Sequence, residues 1–134
     1  MYSGLWYQMA ADKIVYNSFE QDAMCVTALY GTNTDGTVSV HNYAKIGYPD
    51  KGSVYTIDGY AYYKDATKPG ELSVHFDSAD AAPFDAPYWV LELGPKNLNG
   101  LYDWVSTCSR LYTGRSINCS FSSHKDDAAL LVAY

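Results

Sequence analysis

Cysteine and histidine are the side chains best suited to nucleophilic, redox or metal chemistry near neutral pH, and the chain holds three of each. Cys25, Cys108 and Cys119 lie far apart with no C-x-x-C spacing, which argues against a zinc site and against a thioredoxin-like dithiol. An odd count leaves at least one thiol free or bonded to another chain, and the second case would make a homo-oligomer. His41, His75 and His124 are equally scattered, and the sequence supports no pairing of a serine or cysteine with a histidine as nucleophile and base. The other residue set able to do chemistry is aromatic. Fourteen tyrosines against four phenylalanines and three tryptophans supply many rings that are apolar on the body and polar at the tip. Such rings suit strand surfaces, interfaces and pockets of mixed polarity.

The elements that must position these residues are short β-rich runs separated by turn clusters. The runs are Gly4 to Ile14, Ala23 to Gly31, Thr37 to Ile46, Val54 to Tyr63, Glu71 to Asp77, Tyr88 to Leu93, Leu101 to Cys108 and Leu111 to Ile117. Asn33-Thr34-Asp35-Gly36 reads as a tight hairpin turn, and Lys68-Pro69-Gly70 as another punctuation point. Helical periodicity is nearly absent until Ser123 to Tyr134. There Ser122 or Ser123 can cap a helix, Asp126 and Asp127 sit near its positive end, and Ala128 to Ala133 continues it. The connections are too short for βαβ crossovers. The pattern predicts an all-β fold, an eight-stranded antiparallel up-and-down barrel with a short C-terminal helix, as one domain over residues 1–134.

Fifteen acidic and nine basic residues give a formal charge of −6. With no Lys/Arg cluster to displace counterions, nucleic-acid binding is not expected, nor is electrostatic attachment to anionic membranes. No apolar run approaches the roughly 18–20 residues of a transmembrane helix. No signal-peptide pattern precedes the first run, as a mature secreted chain would also show.

Five stretches carry a family resemblance. Gly4-Leu5-Trp6 opens the first run with a G-x-W signature, and Phe19-Glu20 precedes Cys25 at the head of the second. Lys68 to Phe76 (KPGELSVHF), Ala86 to Leu91 (APYWVL) and Leu111 to Arg115 (LYTGR) follow in order, so that the matches span nearly the whole chain. Together they resemble the lipocalins, and in particular the apolipoprotein D-like and crustacyanin-like branch. The threonine-aspartate-tyrosine motif that many lipocalins place after the sixth strand is replaced here by Leu93-Gly94-Pro95-Lys96, so receptor recognition by that loop is not carried over.

The resemblance implies a barrel that carries a small hydrophobic ligand, in a secreted or extracellular setting, with no required cofactor beyond a bound apolar ligand or chromophore. It implies a closed-end motif of Gly4, Trp6 and Arg115. The first and last strands of a closed barrel are neighbours, so the guanidinium would lie over the indole and plug one end. Taking Trp6 as inward, alternation places Gln8 and Ala10 inward too. Tyr30, Asn42 and Tyr88 match ligand-contacting positions of the family. Alternation from these adds Met24, Val26 and Ala28 on the second strand, Val40 and Ala44 on the third, and Val90 on the sixth. Ile57, Gly59 and Ala61 are expected inward on the fourth, Leu72, Val74 and Phe76 on the fifth, and Leu111 and Thr113 on the eighth. His41 and His75 then face out, and Glu92 is left to a pairing with Arg115 or to solvent.

This lining is mostly apolar, with small residues that leave space and a few polar tips, as a ligand pocket requires. The ligand classes compatible with it are lipids, retinoids, and pigments such as carotenoids or bilins. Two alternatives stand beside carriage. Cys25 resembles in context the reactive thiol of lipocalin-type prostaglandin D synthase, although alternation turns it outward; and a barrel with many outward tyrosines could serve protein interaction without a ligand. In this meander Cys108 falls near the open end of the seventh strand and Cys119 beyond the eighth at the closed end. The two are therefore expected to exceed the ~7 Å Cα separation a disulfide can span, leaving thiols mostly free or bonded between chains.

Overall fold

A run in which apolar and polar residues alternate can bury only one face, and eight such runs in succession bury theirs by curling into a barrel. The computed structural model describes residues 2–13, 22–47, 51–78, 85–110 and 117–124. Its elements are β1 (Gly4–Ala11), β2 (Ala23–Thr32), β3 (Val38–Ile46), β4 (Ser53–Tyr63), β5 (Glu71–Phe76), β6 (Ala86–Leu93), β7 (Trp104–Arg110) and β8 (Ile117–Ser123). Strands adjacent in sequence pair antiparallel, and β8 returns to β1, so the sheet closes. Closure removes the unpaired edge that would otherwise template aggregation. Ser122 and Ser123, the expected helix caps, belong to β8 instead, and the remainder of the expected terminal helix, 125–134, lies outside the described residues. Among those residues no helix is long and apolar enough to cross a membrane.

The β2–β3 turn forms as its sequence requires. Gly36 takes φ 87°, where a side chain is strained, and the Asp35 carboxylate accepts hydrogen bonds from the Thr37 amide at 2.9 Å and hydroxyl at 2.7 Å. At mid-barrel, a Cβ on Gly59 would stand 2.0 Å from the His75 carbonyl oxygen, so only glycine lets β4 and β5 approach there.

The seventh and eighth strands differ from their expected bounds. Leu101 and Tyr102 belong to the β6–β7 connection, where Tyr102 bridges Lys96 and the Asn97 side chain accepts from the Leu101 amide at 3.1 Å. β8 is Ile117–Ser123 rather than Leu111 to Ile117. Its pattern is inverted relative to the usual cue. Asn118 pairs with Ser109, and Ser120 with Thr107, on the inner face, while Ile117, Cys119 and Phe121 take the outer one.

That shift also corrects the cysteine expectation. Cys108 and Cys119 are directly opposed in the β7–β8 register, with Cα atoms 4.0 Å apart, and form a disulfide. Cys25 is the free, exposed thiol.

Two bulges correct the alternation. The β1–β8 register shifts between Gln8 and Ala10, which puts Ala10 opposite Phe121 on the outer face. The β2–β3 register shifts between Met24 and Thr27, around Cys25 at φ 52°, which puts Met24 opposite Lys45, again outside.

Candidate functional site

Side chains that face each other across paired strands share a face of the sheet, so the registers trace rows around the inner wall. One row runs Trp6–Ala28–Asn42–Ile57, and the next Gly4–Tyr30–Val40–Gly59–Phe76. A third joins Val38, Ala61, Val74 and Ala86, and a fourth joins Tyr63, Leu72, Tyr88, Ser109 and Asn118. Val40, Ala61, Leu72 and Val74 are buried as one cluster, with Tyr30, Val38, Phe76, Tyr88 and Val90 packed against it.

Between these rows lies a cavity of about 600 Å³, within the range of roughly 300–1,000 Å³ usual for small-molecule sites. Its wall reaches from Asn42 in the middle of β3, and Phe76 and Ser109 at the far ends of β5 and β7, to Gly36, Tyr63 and Pro69, at the end that carries the β2–β3 and β4–β5 turns. Of the residues expected to line a site, Tyr30, Val40, Asn42, Ala61, Leu72, Val74, Phe76, Tyr88 and Val90 border this cavity. Gln8, Val26, Ala28, Ala44, Ile57 and Gly59 do not; Ala28 and Ile57 flank Asn42 in the row beyond its limit. Leu111 lies outside the described residues. Tyr2, Val38, Tyr63, Ala86, Leu93, Tyr102 and Ser109 line the cavity without having been anticipated. Val38, Tyr63 and Ala86 were readable by extending alternation to the strand ends, whereas Tyr2 precedes β1 and no strand pattern reaches it.

The polar part of the wall is concentrated. The Tyr2 hydroxyl is 2.7 Å from that of Tyr88, and the Tyr30 hydroxyl is 3.5 Å from the same oxygen. Tyr2 stacks on Tyr30, with ring centroids 5.2 Å apart. Burial raises the pKa of both Tyr2 and Tyr30 above the usual phenol range, and the neighbouring phenols reinforce it. Tyr2 and Tyr30 therefore stay protonated and neutral. The wall residue Asn42 adds an amide to the cluster, and Asn118 lies on the inner face without bordering the cavity. Asn42 Oδ1 is buried with no hydrogen-bond partner among the described residues, and so are both Oδ1 and Nδ2 of Asn118, a residue only 3% exposed. None of the described residues lining the cavity carries a charge.

Trp6 is 1% exposed and donates from Nε1 to the Tyr2 carbonyl at 2.9 Å. Its expected partner, Arg115, lies outside the described residues, ahead of β8. The ring that stands over Trp6 is His124, immediately after β8, with centroids 3.8 Å apart and Nδ1 2.6 Å from the Leu5 carbonyl. Gly4, at φ 119°, makes room for it, since a Cβ there would meet the imidazole at 2.9 Å. Trp6 does not border the cavity. Tyr2 lies against it instead, with centroids 5.2 Å apart, and presents its own ring to the interior. The cavity thus extends to the turns of the very end that the indole was expected to plug.

Outside the barrel, His75 Nδ1 and the Tyr62 hydroxyl both donate to Asp85, at 2.9 and 2.5 Å. The Tyr62 bond, and then the His75 bond, hold the Asp85 carboxyl below the usual carboxylate range. His41 pairs with Asp58 on the same outer face. Neither histidine, nor Cys25, borders the cavity.

The family described as the lipocalin-like domain matches residues 1–111. The chain is also similar to the outer membrane lipoprotein Blc of Vibrio cholerae, with 36% identity over 106 residues, which is 78% of this chain and 55% of that protein. The chain thus spans a little over half the length of this relative. A closed eight-stranded antiparallel meander opening on Gly4-Leu5-Trp6, and a family match over most of its length, lead to one conclusion: this chain belongs to the lipocalin-like family.

Proposed function

We propose that the barrel binds and carries a small, elongated, hydrophobic molecule bearing a polar group, stoichiometrically and without chemical turnover. The observation that carries this reading is the 600 Å³ cavity, walled by Val38, Val40, Ala61, Leu72, Val74 and Phe76 and tipped with the hydroxyls of Tyr2, Tyr30 and Tyr88. An apolar wall supplies affinity through burial, at about 25 cal/mol per Å² removed from water, while a few fixed polar groups orient the ligand. A wall held by a closed sheet is preformed, so little ordering cost is incurred on binding, and micromolar affinity or better is expected, about −8 kcal/mol. Lipids and retinoids fit this description, and the likeness to the crustacyanin-like branch adds carotenoids and bilins. An extracellular or cell-envelope setting is part of the proposal. It is supported by the Cys108–Cys119 disulfide, which persists in oxidising compartments, and by likeness to an outer membrane lipoprotein.

Titration of the delipidated protein with a panel of long-chain alcohols and acids, retinoids, carotenoids and bilins, read by quenching of tryptophan fluorescence, tests this. Saturation at one ligand per chain by at least one class is expected. Absence of saturable binding across the panel would remove the carrier reading.

A further inference from the structure

We propose that the ligand is electrically neutral and carries a hydrogen-bond donor, a hydroxyl or an amide, rather than a carboxylate or other ionised head. The inference rests on the carriage reading and goes further, to the chemistry of the head group.

The argument is a count of what the interior offers. No described residue of the cavity wall is charged, so an anion drawn inside would meet no counter-ion among the described residues. An ionised carboxylate taken out of water without a paired charge is strongly disfavoured. The whole chain adds to this, because its net charge of −6 repels anions at long range. An unmet group then selects among neutral heads. Asn42 offers a buried, unpartnered carbonyl oxygen at the limit of the cavity. This wall atom accepts and does not donate. A carboxylate, which only accepts, would leave it unpaired. A hydroxyl or a primary amide donates, and can meet it. The tyrosine cluster points the same way. Its three hydroxyls largely satisfy one another, with Tyr88 bonded to Tyr2 and close to Tyr30, so it has few donors to spare for an acceptor-only group. Leaving a buried polar atom unpaired is costly, so Asn42 places the strongest demand on what fills the space.

The test compares palmityl alcohol, palmitamide and palmitate, which share one chain length, on the unaltered, delipidated protein at a pH where the acid is ionised. The alcohol and the amide are expected to bind about tenfold more tightly than palmitate, or better. Palmitate binding as tightly as the alcohol would overturn the neutral-ligand inference while leaving carriage standing. Saturable binding by none of the three would count against carriage itself. A second measurement uses Asn42→Leu, close in size and without the acceptor. The variant should bind palmityl alcohol about fivefold more weakly while its affinity for palmitate is unchanged or improved. An equal loss for both ligands would mean that Asn42 shapes the wall without reading the head group, and would contradict the proposal.

Discussion

Trp6, His124 and Gly4 form a unit in which each residue depends on the others' size. The imidazole lies over the indole, and only a glycine at position 4 leaves it space. Trp6→Ala would open a cavity beneath His124 and Tyr2, and is expected to cost about 3–5 kcal/mol in denaturant unfolding. A loss below ~1 kcal/mol would show that the indole is not a packing centre. Asp85 gives a second test at this scale. Its folded-state pKa is depressed, first by the Tyr62 hydrogen bond and then by His75. A depressed carboxyl contributes stability that is present above its unfolded value of about 3.9 and lost as the pH falls through the folded value. Asp35 and Asp65, held down by hydrogen bonds from Thr37 and Thr67, act in the same direction. The melting temperature should therefore fall as the pH drops below ~4. Tyr62→Phe should return the Asp85 carboxyl toward its ordinary value, followed by its carboxyl carbon shift in an NMR titration. Trp6 was legible through the G-x-W motif, and Tyr30, Asn42 and Tyr88 through the family resemblance. His124 and Asn118 were not, because both belong to the end or the inner face of a strand whose polar-inward pattern conceals it.

At the level of elements, seven strands sit within a few residues of where alternation puts them, since apolar-inward patterning and turn chemistry agree there. The failures trace to particular physical causes. INCSFSS in β8 turns its polar residues inward toward Thr107 and Ser109, so the apolar cue points to the wrong face. The extra residues in β1 and β2 reverse the facing of Ala10 and Met24, and a bulge leaves no reliable mark in a lone sequence. The disulfide follows from the same register and is directly testable. Under denaturing, non-reducing conditions one thiol per chain should titrate, that of Cys25, and three after reduction. Two or three reactive thiols before reduction would contradict the β7–β8 register. Removing the bridge in the Cys108→Ser, Cys119→Ser double variant frees a loop of 11 residues, and the chain-entropy relation puts the loss at about 3 kcal/mol.

For the whole molecule, closure of the sheet is what turns eight short strands into a container. Each strand lines the interior through alternate side chains, and the interior stays open where small residues such as Ala61 and Ala86 meet the wall. The barrel and its hydrophobic lumen were readable from strand number and spacing. The position of the cavity was not, because it depends on which of two inward rows is filled by Trp6 and Tyr2. Ala86 lines the cavity and is only half-buried, so Ala86→Trp has room to place an indole inside the lumen with modest effect on folding. The central claim is that this lumen is the binding site, and native mass spectrometry of the parent and Ala86→Trp, each incubated with the tightest-binding member of the panel, tests it most directly. One bound ligand per parent chain, and little or none on a folded Ala86→Trp chain, is the result expected. Equal occupancy of the two proteins would place the ligand elsewhere and contradict the account.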